Sequence, residues 1–429
     1  MQNAENTSSA TAAASAGTAP SVPAGEEQAP APQLLTEPVG GTPPVVDDVD
    51  GLHDACTRLA AGTGPIAVDT ERASGYRYWP KAYLVQIRRE GAGTVLIDPI
   101  PLAEQLGPLA EVLNDTEWVL HAASQDLPCL TELGLHPPSL FDTELAGRLA
   151  GHERVALGTL VEKLLGYTLE KGHSAADWST RPLPQDWLNY AALDVELLVP
   201  LRAALEAELT EQGKLDWARQ EFEAVRTAPA PAPRAEPWRR TSGVHKVRTP
   251  RGLAAVRALW EARDEMARKR DRAPSRVLPD NAIVNAALSE PGTQEALQAL
   301  PVFGGRVQRR YSAMWFKHLK AARELPKSQL PSTTTQNDGP PPVNRWGDKD
   351  PDAAARLGAA RTSLGAIAER HALPVENLLL PDLLRRTCWR PPEDRSPQGV
   401  AAALAEGGAR QWQVDLTAEV LSEALHKTA

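Results

Sequence analysis

The run Ala228-Pro229-Ala230-Pro231-Ala232-Pro233 limits what this chain can fold into more than any other stretch. Alternating prolines fix φ and delete every second backbone donor, so the run fits neither a helix interior nor a central strand. It reads as a semi-rigid spacer, and a domain is expected to end there. A chain of 429 residues is in any case long enough for two to four domains. The texture on the two sides differs. Upstream, short apolar runs at Ile66–Asp69, Tyr83–Ile87, Thr94–Ile97 and Trp118–His121 alternate with helical periodicity, the pattern of an α/β domain. Gly91 and Gly93 mark the turn between the second and third runs. Helices follow at Thr143–Ala150 and Leu157–Leu165, then one long helix is expected from about Pro184 to Glu211. Downstream, every periodic stretch is helical, and a second break at Pro326 to Pro342 splits that region in two.

The expected organisation is a tail over 1–44, an α/β domain over 45–226, a basic Pro-rich linker over 227–248, a helical domain over 249–326, a linker over 327–344 and a second helical domain over 345–429. The tail is Ala, Ser, Thr, Gly and Pro with hardly an aromatic residue, too little apolar surface to offset the entropy of ordering. Its first twenty residues lack the basic start and apolar block of a secretory signal, and no later run is long enough to span a bilayer. The 3 cysteines, Cys56, Cys129 and Cys388, have neither zinc-site nor disulfide-framework spacing. A cytoplasmic protein without membrane contact is expected. The formal net charge of -9 argues against nonspecific polyanion binding by the whole surface. Positive charge nevertheless gathers locally, at Arg234, Arg239, Arg240, Lys246, Arg248 and Arg251, and again at Arg268-Lys269-Arg270, Arg272, Arg276, Arg306, Arg309 and Arg310.

Chemistry concentrates in the α/β part. Pro65-Ile66-Ala67-Val68-Asp69-Thr70-Glu71 is an apolar strand running into paired acids, and Asp69 and Glu71 leave the same face of it. Carboxylates about 6–7 Å apart on one strand repel unless protons or hard divalent cations intervene. Asp126 stands at the start of a helix that follows a strand, where α/β sheets gather functional groups. In Tyr190-Ala191-Ala192-Leu193-Asp194 the four-residue spacing puts a phenol and a carboxylate on one helix face. Singly, each has an ordinary structural account: a solvated strand end, a first-turn acid favoured by the helix dipole, a core tyrosine. Asp142, before Thr143-Glu144-Leu145, reads as a helix cap.

Together, Asp69-Thr70-Glu71, His121-Ala122-Ala123-Ser124-Gln125-Asp126 and Tyr190-Ala191-Ala192-Leu193-Asp194 resemble the three exonuclease motifs of the DEDD superfamily in its tyrosine branch. The flanking Phe141-Asp142-Thr143-Glu144-Leu145-Ala146 and Asp177-Trp178-Ser179-Thr180-Arg181-Pro182-Leu183 look like the ribonuclease D family in particular. Leu259-Trp260-Glu261-Ala262-Arg263-Asp264 and Pro274 to Asp280 are similar to the helical HRDC domain, and a second HRDC-like copy is expected after it. The fold implied is a ribonuclease H-like exonuclease domain, a mixed sheet flanked by helices, plus two all-α HRDC-type domains. The activity implied is metal-dependent 3′→5′ exoribonuclease action on single-stranded RNA ends, such as those of tRNA precursors, releasing 5′-mononucleotides. By the same resemblance, Asp69, Glu71, Asp126 and Asp194 hold two divalent ions, Mg²⁺ or in its place Mn²⁺. Asp69 bridges them, and Tyr190 orients the attacking water. His173, the counterpart of a base in the histidine branch, lies too far ahead of Asp194 for that role. Lys171 and Arg181 in a polar loop, and Arg239, Arg240, Arg270 and Arg276 beyond the spacer, are candidate RNA contacts. A monomer is expected. The residues alone leave open a DNA exonuclease of the same fold, or a nucleic-acid-binding factor without activity, although an intact carboxylate set weighs against the latter.

Overall fold

In the computed structural model, which describes residues 31–170, 172–173, 175–334 and 339–428, the upstream part builds eight strands. They are β1 (Gln33–Leu35), β2 (Val45–Val46), β3 (Thr63–Arg72), β4 (Ala82–Glu90), β5 (Gly93–Ile97), β6 (Trp118–Leu120), β7 (Leu140–Asp142) and β8 (Tyr167–Leu169). Six of them form one mixed sheet in the order β2-β5-β4-β3-β6-β7. β3, β4 and β5 pair antiparallel, while β6, β7 and β2 join parallel to their neighbours. The β4–β5 turn runs through Gly91 and Gly93 at φ of 81° and 73°, the left-handed conformation that glycine adopts without steric cost. β3 sits in the middle of the sheet, and Ile66, Ala67 and Val68 are fully buried before the strand reaches its acids.

The helix expected from Pro184 to Glu211 is two helices, Gln185–Glu196 and Leu198–Glu211. Pro200 accounts for the break: its ring conflicts with the carbonyl one turn back, so the chain restarts at Leu198. The break lets Gln185–Glu196 lie across β3, β4 and β5 while Leu198–Glu211 turns to cover β3 and β6.

The tail expected to reach residue 44 ends earlier. Residues 1–30 lie outside the described residues, but β1 pairs parallel with β8, in a separate two-stranded sheet. Val39 N donates to Glu196 Oε1 (3.2 Å), and Asn189 Nδ2 donates to the Thr36 carbonyl (2.6 Å). Backbone groups do most of this anchoring, which is why composition concealed it.

Beyond the spacer come two helical modules with matching element patterns. Pro250–Arg270, Pro274–Val277, Asp280–Ser289, Gln294–Gln298 and Arg306–Glu324 make the first. Pro351–Arg370, Val375–Leu378, Pro381–Trp389, Pro397–Glu406 and Gln411–Ala424 make the second. They attach to the α/β domain differently. The first has its own core around Trp315, Phe303 and Leu259, and grips the loop that leaves β3 through polar contacts. There Asp271 Oδ1 accepts from Tyr78 N (3.1 Å) and Trp79 N (3.2 Å), and Ala273 N donates to the Tyr76 carbonyl (2.9 Å). The second shares one continuous apolar core with the α/β domain. Trp217 stacks on Trp412 with ring centroids 5.0 Å apart, and Trp412 Nε1 donates to Glu221 Oε1 (3.0 Å). Among the described residues no helix is long and apolar enough to cross a membrane.

Candidate active site

Strand alternation places Asp69 and Glu71 on the face of β3 that the Gln185–Glu196 helix covers. The helix is seated by Leu188, Ala191 and Ala192, which pack with Leu84, Leu96 and Trp178. That seating directs the opposite turn positions, Tyr190 and Asp194, to the strand end. Carboxylate oxygens of Asp69, Glu71 and Asp194 all come within 4.8 Å of one another. Tyr190 stands one turn from Asp194 on the same helix, and both line one cleft.

Three carboxylates this close cannot all keep their charge unaided. Burial, followed by Asp126 and Asp194, raises the Asp69 carboxyl well above the ordinary range. Glu71 is raised by burial and then by Asp69, and Asp194 chiefly by burial. Burial and the charge of Asp194 also raise the Tyr190 phenol, so it stays protonated at neutral pH and cannot serve as a base there. Crowded together, with Glu71 buried and Asp69 and Asp194 half-buried, the three acids suit hard divalent cations with oxygen coordination.

Asp126 stands beside this trio rather than within it. It follows β6 through a short 3-10 turn, Ala123–Gln125, and stands where expected, at the start of the helix that opens at Leu127. Its Oδ1 accepts from Thr70 Oγ1 (2.7 Å) and lies 3.7 Å from Arg72 Nη2, while Arg72 Nη1 donates to the Gln125 carbonyl (2.5 Å). Asp142 does more than cap. Its carboxylate accepts from Glu144 N and Leu145 N of its own helix, and also from Ala122 N (3.1 Å) and Ala123 N (2.9 Å) of the turn carrying Asp126. Ala122 has a positive φ of 59°, uncommon for a residue with a Cβ, and these bonds hold it there. Burial still lifts Asp142 to about 6 against four amide donors. Sequence reading missed Thr70, Arg72 and this second role of Asp142, because each depends on a partner 19 or more positions away.

Several expected RNA contacts are otherwise engaged. Arg181 forms a two-pronged bridge to Asp98 (2.6 and 2.9 Å) and donates to the Tyr83 carbonyl, so it fastens its loop to the sheet. Arg276 donates to the Gly75 carbonyl (2.6 Å) and lies over the Tyr76 ring, joining the first helical module to the loop after β3. Arg239 is paired with Glu236 and stacked on Trp238. All three guanidinium groups thus have partners within the protein, while Arg181 and Arg276 stay exposed. Arg240 and Arg270 are exposed, the latter above Tyr311. Lys171 lies outside the described residues. His173 faces Asp186 at 3.3 Å and meets Tyr190 edge-on, away from the carboxylate cluster. A cleft of about 380 Å³ opens beside Tyr190 and Asp194, with Thr159, Glu162, Thr168 and Glu170 on its other wall.

Comparison with known proteins gives three family matches along the chain. Residues 43–210 match a 3′-5′ exonuclease domain, 252–319 an HRDC domain, and 339–425 a 3′ to 5′ exonuclease C-terminal domain. The ribonuclease D of Nitrobacter hamburgensis is 30% identical over 351 residues, covering 78% of this chain and 85% of that protein. A crystal structure of a protein from Bifidobacterium adolescentis superposes with a TM-score of 0.85 at 40% identity, covering 92% of this chain and 100% of the other. The crystal structure of Escherichia coli RNase D, described as an exoribonuclease involved in structured RNA processing, superposes with a TM-score of 0.65 at 27% identity, covering 89% and 98%.

Proposed function

The chain belongs to the ribonuclease D family of 3′→5′ exoribonucleases, and from that premise we propose how its residues divide the work on the 3′ ends of structured RNA, tRNA precursors among them. The observation that carries the proposal is the meeting of Asp69, Glu71 and Asp194 within 4.8 Å, with Tyr190 on the same helix face. Asp69, which like Glu71 feels both Asp126 and Asp194, would be the ligand shared between two ions. Glu71 and Asp194 would complete the site on the Tyr190 side, and Asp126 would serve the second site from its position beside the trio. Mg²⁺ ions, or Mn²⁺, held by these acids would supply a water of lowered pKa and would offset the negative charge that builds at the scissile phosphate and the leaving 3′-oxygen.

Protein groups do the orienting. The protonated Tyr190 hydroxyl, close to Asp194, hydrogen-bonds the attacking water and aims it at phosphorus. The water oxygen bonds to phosphorus as the bond to the 3′-oxygen of the penultimate nucleotide breaks, giving a 5′-mononucleotide and a chain one residue shorter. The cleft beside Tyr190 is large enough for the terminal nucleoside. Exposed Arg240, Arg270, Arg306, Arg309 and Arg310 on the first helical module follow the RNA backbone further from the 3′ end.

Digestion of end-labelled single-stranded and hairpin RNA, with matched DNA, tests this reading. Stepwise loss of 5′-mononucleotides from RNA in Mg²⁺, absent in EDTA, is the expected result. Hydrolysis that persists in EDTA, or that prefers DNA, would overturn it.

A further inference from the structure

Thr70, the middle residue of Asp69-Thr70-Glu71, points away from its neighbours because side chains alternate along β3. Its hydroxyl is nevertheless tied to the site. Thr70 Oγ1 lies 2.7 Å from Asp126 Oδ1 in a buried contact, and Asp126 itself is 4% exposed. The second contact on Asp126 falls on the same oxygen, where Arg72 Nη2 stands at 3.7 Å. Arg72 is in turn fixed by the Gln125 carbonyl, and Cys129 Sγ, 3.4 Å from Thr70 Oγ1, closes the other side of the hydroxyl. Two groups from the end of β3 therefore load Oδ1.

We propose that Thr70 is a positioning residue: its hydroxyl holds Oδ1 of Asp126 and so presents Oδ2 to the second divalent ion. The inference rests on the metal-dependent reading of the site. A carboxylate next to β3 but outside the Asp69–Glu71–Asp194 trio needs its rotamer chosen for it, since no acid of the trio can do so by hydrogen bonding. A hydroxyl is the right donor: it donates a hydrogen bond to a carboxylate without adding charge that would oppose a cation. Arg72, being positive, fixes the same oxygen from the side that the Gln125 carbonyl anchors.

The test is binding of Mn²⁺ to the full-length protein, followed by calorimetry and by the loss of the free-ion paramagnetic signal, without substrate. Groups that orient a metal ligand are typically worth about 10–100-fold in affinity. Thr70→Val keeps the shape and loses the hydroxyl; Thr70→Ser keeps the hydroxyl. The valine variant is expected to bind one ion about 10-fold more weakly and the other unchanged, and to need correspondingly more Mg²⁺ for half-maximal turnover, with KM for RNA unmoved. The serine variant is expected to behave as the unchanged chain. Affinities for both ions unchanged in Thr70→Val, or a serine variant as impaired as the valine one, would overturn the proposal. Failure of the unchanged chain to bind Mn²⁺ would instead overturn the reading on which it rests.

Discussion

Asp69, Glu71 and Asp194 stand close enough that each substitution among them should be felt in turnover before it is felt in folding. Asp69→Asn and Asp194→Asn remove charge but keep shape, and both are expected to lower turnover by about 10²–10³-fold or more while leaving the melting temperature unchanged or raised. RNA digestion beside thermal unfolding checks this, and near-native activity at low Mg²⁺ in either variant would remove that acid from the site. Tyr190→Phe should cost about 10²–10⁴-fold in single-turnover rate and leave metal binding intact. The raised carboxyl pKa values also fix a pH trend. A carboxyl whose folded pKa lies above its unfolded value binds more protons in the folded state, so stability declines as pH rises above about 4, the ordinary carboxylate value. Divalent ions relieve that penalty. The rise in melting temperature on adding Mg²⁺ should therefore be larger at pH 8 than at pH 5.5, and an increment that shrinks with pH would contradict the assignment.

At the scale of elements, the turn between β6 and Leu127 depends on a single carboxylate. Asp142→Ala would leave four amide groups short of an acceptor, two in its own helix and two in the turn. A cost of roughly 1–3 kcal/mol is expected, read from chemical denaturation. Turnover should fall further than that loss explains, since Asp126 rides on the turn; Asp142→Asn, retaining one acceptor oxygen, should recover part of both. Loss of stability with full activity would separate Asp142 from the site. The same carboxylate shows what sequence makes legible. Its capping role is local, fixed by residues two and three positions on, and so was readable. Its hold on Ala122 and Ala123 requires β6 and β7 to be neighbours, which no local pattern states. Asp69 with Glu71, and Tyr190 with Asp194, were readable for the same reason, being separated by one strand period or one helical turn. The partners of Arg181 and Arg276 were not legible, since Asp98 and the Gly75 carbonyl arrive from elsewhere in the fold. The helix break at Leu197 was signalled by Pro200, and helical periodicity on both sides masked it.

For the whole molecule, the spacer at Ala228–Pro233 suggests a chain that can be cut there, with an active domain left over. The packing argues otherwise. The second helical module shares its core with the α/β domain, and a cut at Pro233 would bare Trp217 and leave Glu221 without Trp412 and Arg410. The 1–233 fragment is expected to melt well below the full chain and to aggregate, whereas loss of the first module alone is expected to cost RNA affinity first. Charge reversal at Arg306, Arg309 and Arg310 in the intact chain isolates that affinity: the slope of log affinity against log salt should become shallower, with single-strand turnover retained. An unchanged slope would assign the basic face to another partner. The stacked indoles of Trp217 and Trp412 have one more consequence. Rings 5.0 Å apart and inclined by 13° couple their electronic transitions, and one belongs to each side of the seam. The pair is thus an intrinsic optical gauge, whose near-ultraviolet circular dichroism would show, without any label, whether the two halves stay closed while RNA is being shortened.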